Sequence, residues 1–430
     1  MALPGLDDIL RDFPEPAQAT IRQLWGNLSA ERRRELEDLL TQLPGSAKTL
    51  KDILGYVADQ YKPVIGVKRR IAIVGPVNVG KSTLYNQLIA RPADRATVSP
   101  VPGTTRRAQQ ADAGLFAVVD TPGADAAGPV GDRERQLAFA AARVSDFLVI
   151  VFEATHGVGR TEKELFDSLV GLGKPFVVVL NKIDLTPKAD RESVLAAAAR
   201  ALGLERSQII DTVATDGVNV GRIILAVARA EPELLAALGA ALPHYRGQLA
   251  WSRIIAAGGA AAVVAFIPLP LADLIPLLGI QTGLVLSISR IYNFKITPER
   301  ARELIATFGV GLLARRLFQE LSKLGGVPGW LLSAAIAAST TVAIGYAAIA
   351  WFSRGERPSQ AALGKLVADV TTYLKERLLD LGRKRPDKGT LRERVMEALK
   401  EGPLAYPHPR PFPRPDGGRE VPSPAAAGEG

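Results

Sequence analysis

The chain has no cysteine among its 430 residues. That absence excludes a disulfide framework, a cysteine-ligated zinc site and a thiol nucleophile. Histidine is nearly as scarce. His156, His244 and His408 lie far apart and offer no metal-ligand spacing, and His156 reads as a solvated histidine in the loop after an apolar strand. The N-terminal residues 1–8 lack the basic segment and apolar run of a secretory signal, so this part of the chain is expected in the cytoplasm. Negative charge is in the minority, with 44 Asp and Glu against 53 Lys and Arg, a net charge of +9 and a pI near 9.7. That balance fits anionic partners such as nucleic acid, phospholipid headgroups or nucleotide, and fits equally an Arg-rich genome.

Charge is also missing from two long stretches. Residues 254–289 contain only Asp273, and residues 327–352 contain no charge. They separate a length that suggests two or three domains into recognisable parts. Residues 14–62 carry leucines at helical spacing, with Ser29 as an N-cap and Pro44-Gly45 as a break, and Lys48 to Tyr61 forms a second amphipathic helix. Short apolar runs follow at 69–75, 115–120, 147–152, 176–181 and 209–212, with helical stretches at 81–90, 133–143, 161–172, 190–202 and 218–237. Apolar strands alternating with helices predict an α/β fold, a doubly wound and mainly parallel sheet with its ligand at the carboxyl ends of the strands. A basic helical stretch at 290–325 and an amphipathic one at 360–400 come later. The expected division is an N-terminal helical segment at 1–66, the α/β domain at 67–240, a hydrophobic all-α domain at 241–355, an amphipathic helical segment at 356–401 and a disordered Pro/Gly/Ala-rich tail at 402–430.

The α/β stretch carries four motifs in order. Gly75-Pro76-Val77-Asn78-Val79-Gly80-Lys81-Ser82 matches G-x-x-x-x-G-K-S between a strand and a helix. Its glycines let main-chain amides approach phosphate oxygens, and the helix start adds partial positive charge. Lys81 is expected on the β- and γ-phosphates and the Ser82 hydroxyl on Mg2+, with Thr83 beside it. Thr105 is the favoured switch threonine for Mg2+ and the γ-phosphate, with Thr104 second, and Gly123 offers an amide to that phosphate. Asp120, at a strand end in Asp120-Thr121-Pro122-Gly123, can hold the magnesium shell through water. Asn181-Lys182-Ile183-Asp184 follows another strand. The Asp184 carboxylate can accept from guanine N1–H and the 2-amino group, a donor pair adenine lacks, so the expected ligand is GTP or GDP. Ala214, in Val213-Ala214-Thr215, is expected to give its amide to guanine O6.

These four motifs resemble the Era-like branch of translation-factor-type GTPases, the TrmE-Era-EngA-septin-like group, over about 170 residues. Arg107 and Val213-Ala214 depart from the usual pattern. The resemblance implies Mg-dependent hydrolysis of GTP. It also implies that Ala124, where Ras-type enzymes carry a glutamine, leaves water orientation to another group, such as K+ held partly by Asn78 or a second protomer meeting the α/β domain. The C-terminal part, with Ile267-Pro268-Leu269-Pro270-Leu271-Ala272-Asp273 and Gln281-Thr282-Gly283, resembles the YcjF-like domains found behind such GTPases, a group thought to be membrane-associated.

Residues 327–352 are long enough to span a bilayer, with Trp330 and Trp351 near the ends, and 254–289 could form a shallow hairpin bent at Pro268 and Pro270. The reading is therefore a membrane-associated GTP switch whose segments 95–110 and 123–135 respond to loss of the γ-phosphate. Its expected partners are GTP, membrane lipids and a second protomer. An RNA- or ribosome-directed GTPase and a non-hydrolysing GTP-dependent scaffold are the alternatives. An Ala/Gly-rich helical core buried in protein is the competing explanation of the apolar runs.

Overall fold

The computed structural model describes residues 11, 15–26, 46–64, 70–88, 109–110, 115–120, 139–266, 274–309, 328–381 and 386–402. Thr104, Thr105, Gly123, Ala124, Ser29, the 267–273 bend and the tail beyond Gly402 lie outside them. Two N-terminal helices, α1 (Glu15–Gly26) and α2 (Ser46–Tyr61), precede an α/β domain. That domain contains β1 (Ile71–Gly75), α3 (Lys81–Leu88), β2 (Gln109–Gln110), β3 (Phe116–Asp120), β4 (Phe147–Glu153), α4 (Arg160–Val170), β5 (Phe176–Asn181), α5 (Arg191–Leu202), β6 (Ile209–Thr212) and α6 (Val220–Ala230). The sheet order is β2-β3-β1-β4-β5-β6. Every described pairing is parallel except that of β2 with β3. The parallel α/β sheet agrees with the expected fold class. The short antiparallel β2 is an addition, because Gln109-Gln110 has no apolar run to announce it.

Period-two alternation splits the strand side chains between two cores. Ala72, Val74, Leu148, Ile150, Val178 and Leu180 meet α4 and α5 on one face. Ile71, Ile73, Val149, Val151, Val177 and Val179 face the other way, into a core continuous with Ile223 and Val227 of α6 and with the helices beyond. Nearly every strand residue is buried, as expected for a sheet covered on both sides.

The helix expected at 218–237 stops at Ala230 and resumes as α7 (Leu235–Ala241). Pro232 is the reason: it disfavours helical backbone at Glu231, which sits at φ −126° and ψ 78°. Beyond α7 come α8 (Arg246–Phe266), α9 (Leu274–Ile291), α10 (Pro298–Phe308), α11 (Gly329–Arg354), α12 (Gln360–Leu379) and α13 (Lys388–Glu401). The amphipathic stretch expected at 360–400 is thus two helices, and Ser359 and Asp387 cap them by accepting the amides of Ala362 and Thr390.

α11 is the centre of this helical body, packed by α8, α9, α10 and α12, while α13 lies along α8. Two segments are long and apolar enough to cross a bilayer, Pro243–Phe266 and Gly329–Arg354, yet 78% and 89% of their apolar stretches are buried within the protein. The charged helices α10, α12 and α13 face solvent around them, with Glu299, Arg300, Lys365 and Glu393 exposed. In this structure the two runs pack their apolar surfaces largely on each other and on neighbouring helices, which is the arrangement of the competing explanation, a helical core buried in protein.

The N-terminal helix α2 is part of the same body and packs along α9. The Tyr61 hydroxyl donates to the Gly279 carbonyl at 3.2 Å, and the Ser287 hydroxyl donates to the Gln60 carbonyl at 2.8 Å. From α8, Arg253 Nη2 donates to Gln60 Oε1 at 2.8 Å and to the Asp59 carbonyl at 3.3 Å. Burial pulls the Arg253 guanidinium down to about 10, partly opposed by the charge of Asp59, so it stays ionised at neutral pH.

Candidate nucleotide-binding site

Register places the carboxyl ends of the parallel strands side by side. Gly75 is opposite Asp120, Glu153 is opposite Asn181, and Asn181 is opposite Thr212. The sequence motifs therefore converge on one edge of the sheet, where the loops of a parallel α/β domain meet a ligand.

The phosphate loop runs from Gly75 to Lys81, which opens α3. Two backbone positions there require glycine. A Cβ on Gly75, at φ +156°, would sit 2.1 Å from the Val151 carbonyl oxygen, and one on Gly80, at φ +92°, would sit 2.3 Å from Asn181 Nδ2. Asn78 adopts the left-handed region at φ 66°, which asparagine tolerates. Val79 is buried, and Ser82 and Thr83 are partly buried at the helix start. Lys81 is only 2% exposed. Its ammonium donates to the Gly75 carbonyl at 2.7 Å and to the Pro76 carbonyl, folded over the loop it is expected to serve. A buried ammonium inside a tight loop at a helix start is a donor set suited to a polyphosphate.

Asn181 is 2% exposed and joins three segments. Its Nδ2 donates to the Val79 carbonyl at 2.9 Å, and its Oδ1 accepts from Thr212 Oγ1 and from the Ala214 amide, each at 3.0 Å. The Ala214 amide, expected on guanine O6, is thus directed at Asn181 in this structure. The loop after β6, expected to meet the base, is tied on its other side to α3, because Gln87 Nε2 donates to the Thr215 carbonyl at 2.8 Å.

Lys182 has left-handed backbone, φ 61° and ψ 34°, so the chain turns sharply after β5 and leaves Asp184 exposed in the following turn. The Lys182 ammonium donates to Glu153 Oε2 at 2.7 Å. Glu153 is the residue that sequence reasoning missed. It ends β4 immediately after the apolar run, and only its position opposite Asn181 marks it. Its side chain is 12% exposed. Burial raises the Glu153 carboxyl, but hydrogen bonds from Lys182 and Thr155 and the charge of Lys182 outweigh that and hold it below the usual carboxylate range. His156, expected to be a solvated loop residue, lies 3.4 Å from Glu153 Oε1 with its side chain 81% exposed.

Gly75, Asn78, Val79, Gly80, Lys81, Ser82 and Thr83 come together with Asn181, Lys182, Asp184 and Ala214 at this edge. Asp120 is placed there by its backbone, and Thr105 and Gly123 lie outside the described residues.

A phosphate loop after the central strand, a strand-end aspartate and a buried asparagine bridging the two loops are the arrangement of a P-loop nucleotide-binding domain. Comparison with known proteins agrees. The family described as 50S ribosome-binding GTPase matches residues 70–182, and the family described as a domain of unknown function, DUF697, matches residues 252–376. Among curated relatives, GTPase Der of Kosmotoga olearia is 28% identical over 207 residues, covering 46% of this chain and 46% of that protein. GTPase Der of Pseudothermotoga lettingae is 38% identical over 138 residues, covering 29% and 31%. The chain therefore spans less than half the length of these relatives. A solved structure of an Aquifex aeolicus Era variant bound to GDP and AlF4− is 24% identical, covers 44% of this chain and 67% of that one, and has a TM-score of 0.33. Its α/β part is therefore similar to GTPases such as Der, and its helical part to DUF697 domains.

The Glu153–Lys182 pair gives a direct test. Glu153→Gln keeps a hydrogen-bonding group and removes the charge, so a fluorescent GDP analogue should bind about five- to thirtyfold more weakly, on the order of 1–2 kcal/mol. Because the Glu153 carboxyl titrates below its ordinary range, the pair's contribution is intact at neutral pH and is lost only as pH falls through that lowered value. Wild-type affinity in the variant would show that Lys182 does not depend on Glu153.

Proposed function

We propose that this chain hydrolyses GTP to GDP and phosphate and uses the change of nucleotide to alter how its α/β domain packs on the helical body. The observation that carries the reading is the Asn181 bridge, which holds the phosphate loop and the guanine-reading loop as one unit. GTP is the substrate. Its polyphosphate would lie along the loop 75–82, where the Lys81 ammonium turns from its own loop carbonyls to the phosphates. Its base would be read by Asp184, with Lys182 braced by Glu153. Ser82 and Thr105, with Asp120 through water, would hold Mg2+, which supplies charge neutralisation at the phosphates. Water attacks the γ-phosphorus in line as its bond to the bridging oxygen breaks, and the charge that develops is met by Lys81 and loop amides including that of Gly123. Ala124 cannot orient that water, so a K+ ion held partly by Asn78, or a group from a second protomer, is proposed to complete the site.

Coupling to the helical body follows from the continuous core. Core residues of β1, β4 and β5 share a single apolar cluster with α6, α7, α8 and α9. A shift of the loops at the sheet edge therefore meets side chains that also belong to the DUF697 domain. Membrane association is part of the proposal, and the burial of 78% and 89% of the two long apolar stretches within the protein favours peripheral contact.

Three outcomes test this reading. Asp184→Asn inverts the hydrogen-bonding pattern, so GTP should bind at least about a hundredfold more weakly while xanthosine triphosphate improves; unaltered GTP affinity would mean that the base pocket lies elsewhere. Turnover should be faster in KCl than in NaCl at equal ionic strength, and equal rates remove the K+ role. Protein recovered with membranes should be released by alkaline carbonate without detergent, and retention through that wash would show lipid-inserted helices instead.

A further inference from the structure

The junction between the two halves holds a cleft that the proposed reaction does not use. It lies between α6 and α8 and has a volume of about 470 Å3. Three cations line it: Arg222 and Arg229, two turns apart on α6, and Lys400 from the last turn of α13. No aspartate or glutamate is among its lining residues. Arg222 shares Asp211 at 3.3 Å, whereas Arg229 and Lys400 are exposed and have no carboxylate partner among the described residues. Trp251 and Tyr245 form an aromatic wall, and Gln248 adds a neutral hydrogen-bonding group.

Cations gathered on one concave surface repel one another unless an anion joins them. Two guanidiniums give paired donors that suit phosphate oxygens, and the ammonium adds a third positive charge. The aromatic wall accommodates an apolar or planar body attached to that phosphate. The volume and the position at a domain junction are those of a small-ligand site. We propose that this cleft binds a phosphate ester carried on an apolar or planar body, supplied either as a free nucleotide or as a lipid headgroup. Gly217 and Asn219 also line it and follow the base-reading loop, so an occupant touches the segment that Gln87 ties to α3. The site is distinct from the phosphate loop and does not rest on hydrolysis.

The test uses the full chain saturated with GDP. It is titrated calorimetrically with ADP, which lacks the donor pair that Asp184 reads, and is separately sedimented with phosphatidylcholine vesicles containing phosphatidylglycerol. The Arg229→Glu/Lys400→Glu variant should weaken whichever probe binds by roughly tenfold or more. Arg200→Glu/Lys365→Glu makes the same change in net charge at exposed positions on other helices and should stay within about twofold of the wild type. ADP binding with this pattern supports the proposal as a free phosphate ester, and vesicle binding alone supports it as a headgroup. Binding of neither probe, or equal loss in both variants, overturns it. Uptake of GDP by the same samples is read separately and reports on the phosphate loop, and the comparison of variants holds whichever way that result falls.

Discussion

The carboxamide of Asn181 holds the nucleotide edge together. It is buried at the end of β5, and each of its polar atoms is committed: Nδ2 to the phosphate loop, Oδ1 to Thr212 and to the Ala214 amide. In a low-dielectric interior such bonds are strong, and an orphaned partner is costly. Two stretches of chain more than 100 residues apart are thereby fixed to one another. The requirement reaches back into the phosphate loop, where the space beside Gly80 is already filled by the same amide. The second glycine of the loop motif and the asparagine of the base motif are two sides of one contact.

That shared contact explains why so much of the site could be read from residue order. The motifs are local, and each names a backbone conformation or a donor pattern that few residue types satisfy. The strands were legible because apolar runs of this length, flanked by helices, have few other uses. What could not be read was non-local or unmarked. Glu153 is an ordinary carboxylate until β4 and β5 align it with Asn181 and Lys182. Gln109-Gln110 pairs with β3 although nothing in its composition signals a strand. The role of α2 depends on Gly279 and Ser287, more than 200 residues away.

The apolar helices show a different limit. Their length and composition suit a bilayer and a protein interior equally, because both solvents ask that every polar group be satisfied within the segment. In α11 the hydroxyls of Ser339, Thr340 and Thr341 donate to carbonyls one turn back, on Ala335, Ile336 and Ala337. These three hydroxyls present no unmet donor to either environment. In this structure the neighbours of α11 are α8 and α9, with the charged amphipathic helices α10 and α12 also packed on it.

The seam between α2 and α9 sets the order in which this polypeptide can mature. Gln60 and Ser287 are separated by 227 positions, and the entire nucleotide domain is synthesised between them. Helix α2 therefore leaves the ribosome long before the surface that receives it exists, and its apolar stripe must wait in solution or on a chaperone while the α/β domain forms. The α/β domain is thus an insertion in the sequence of the helical body, with helices of that body packed together from before and after it.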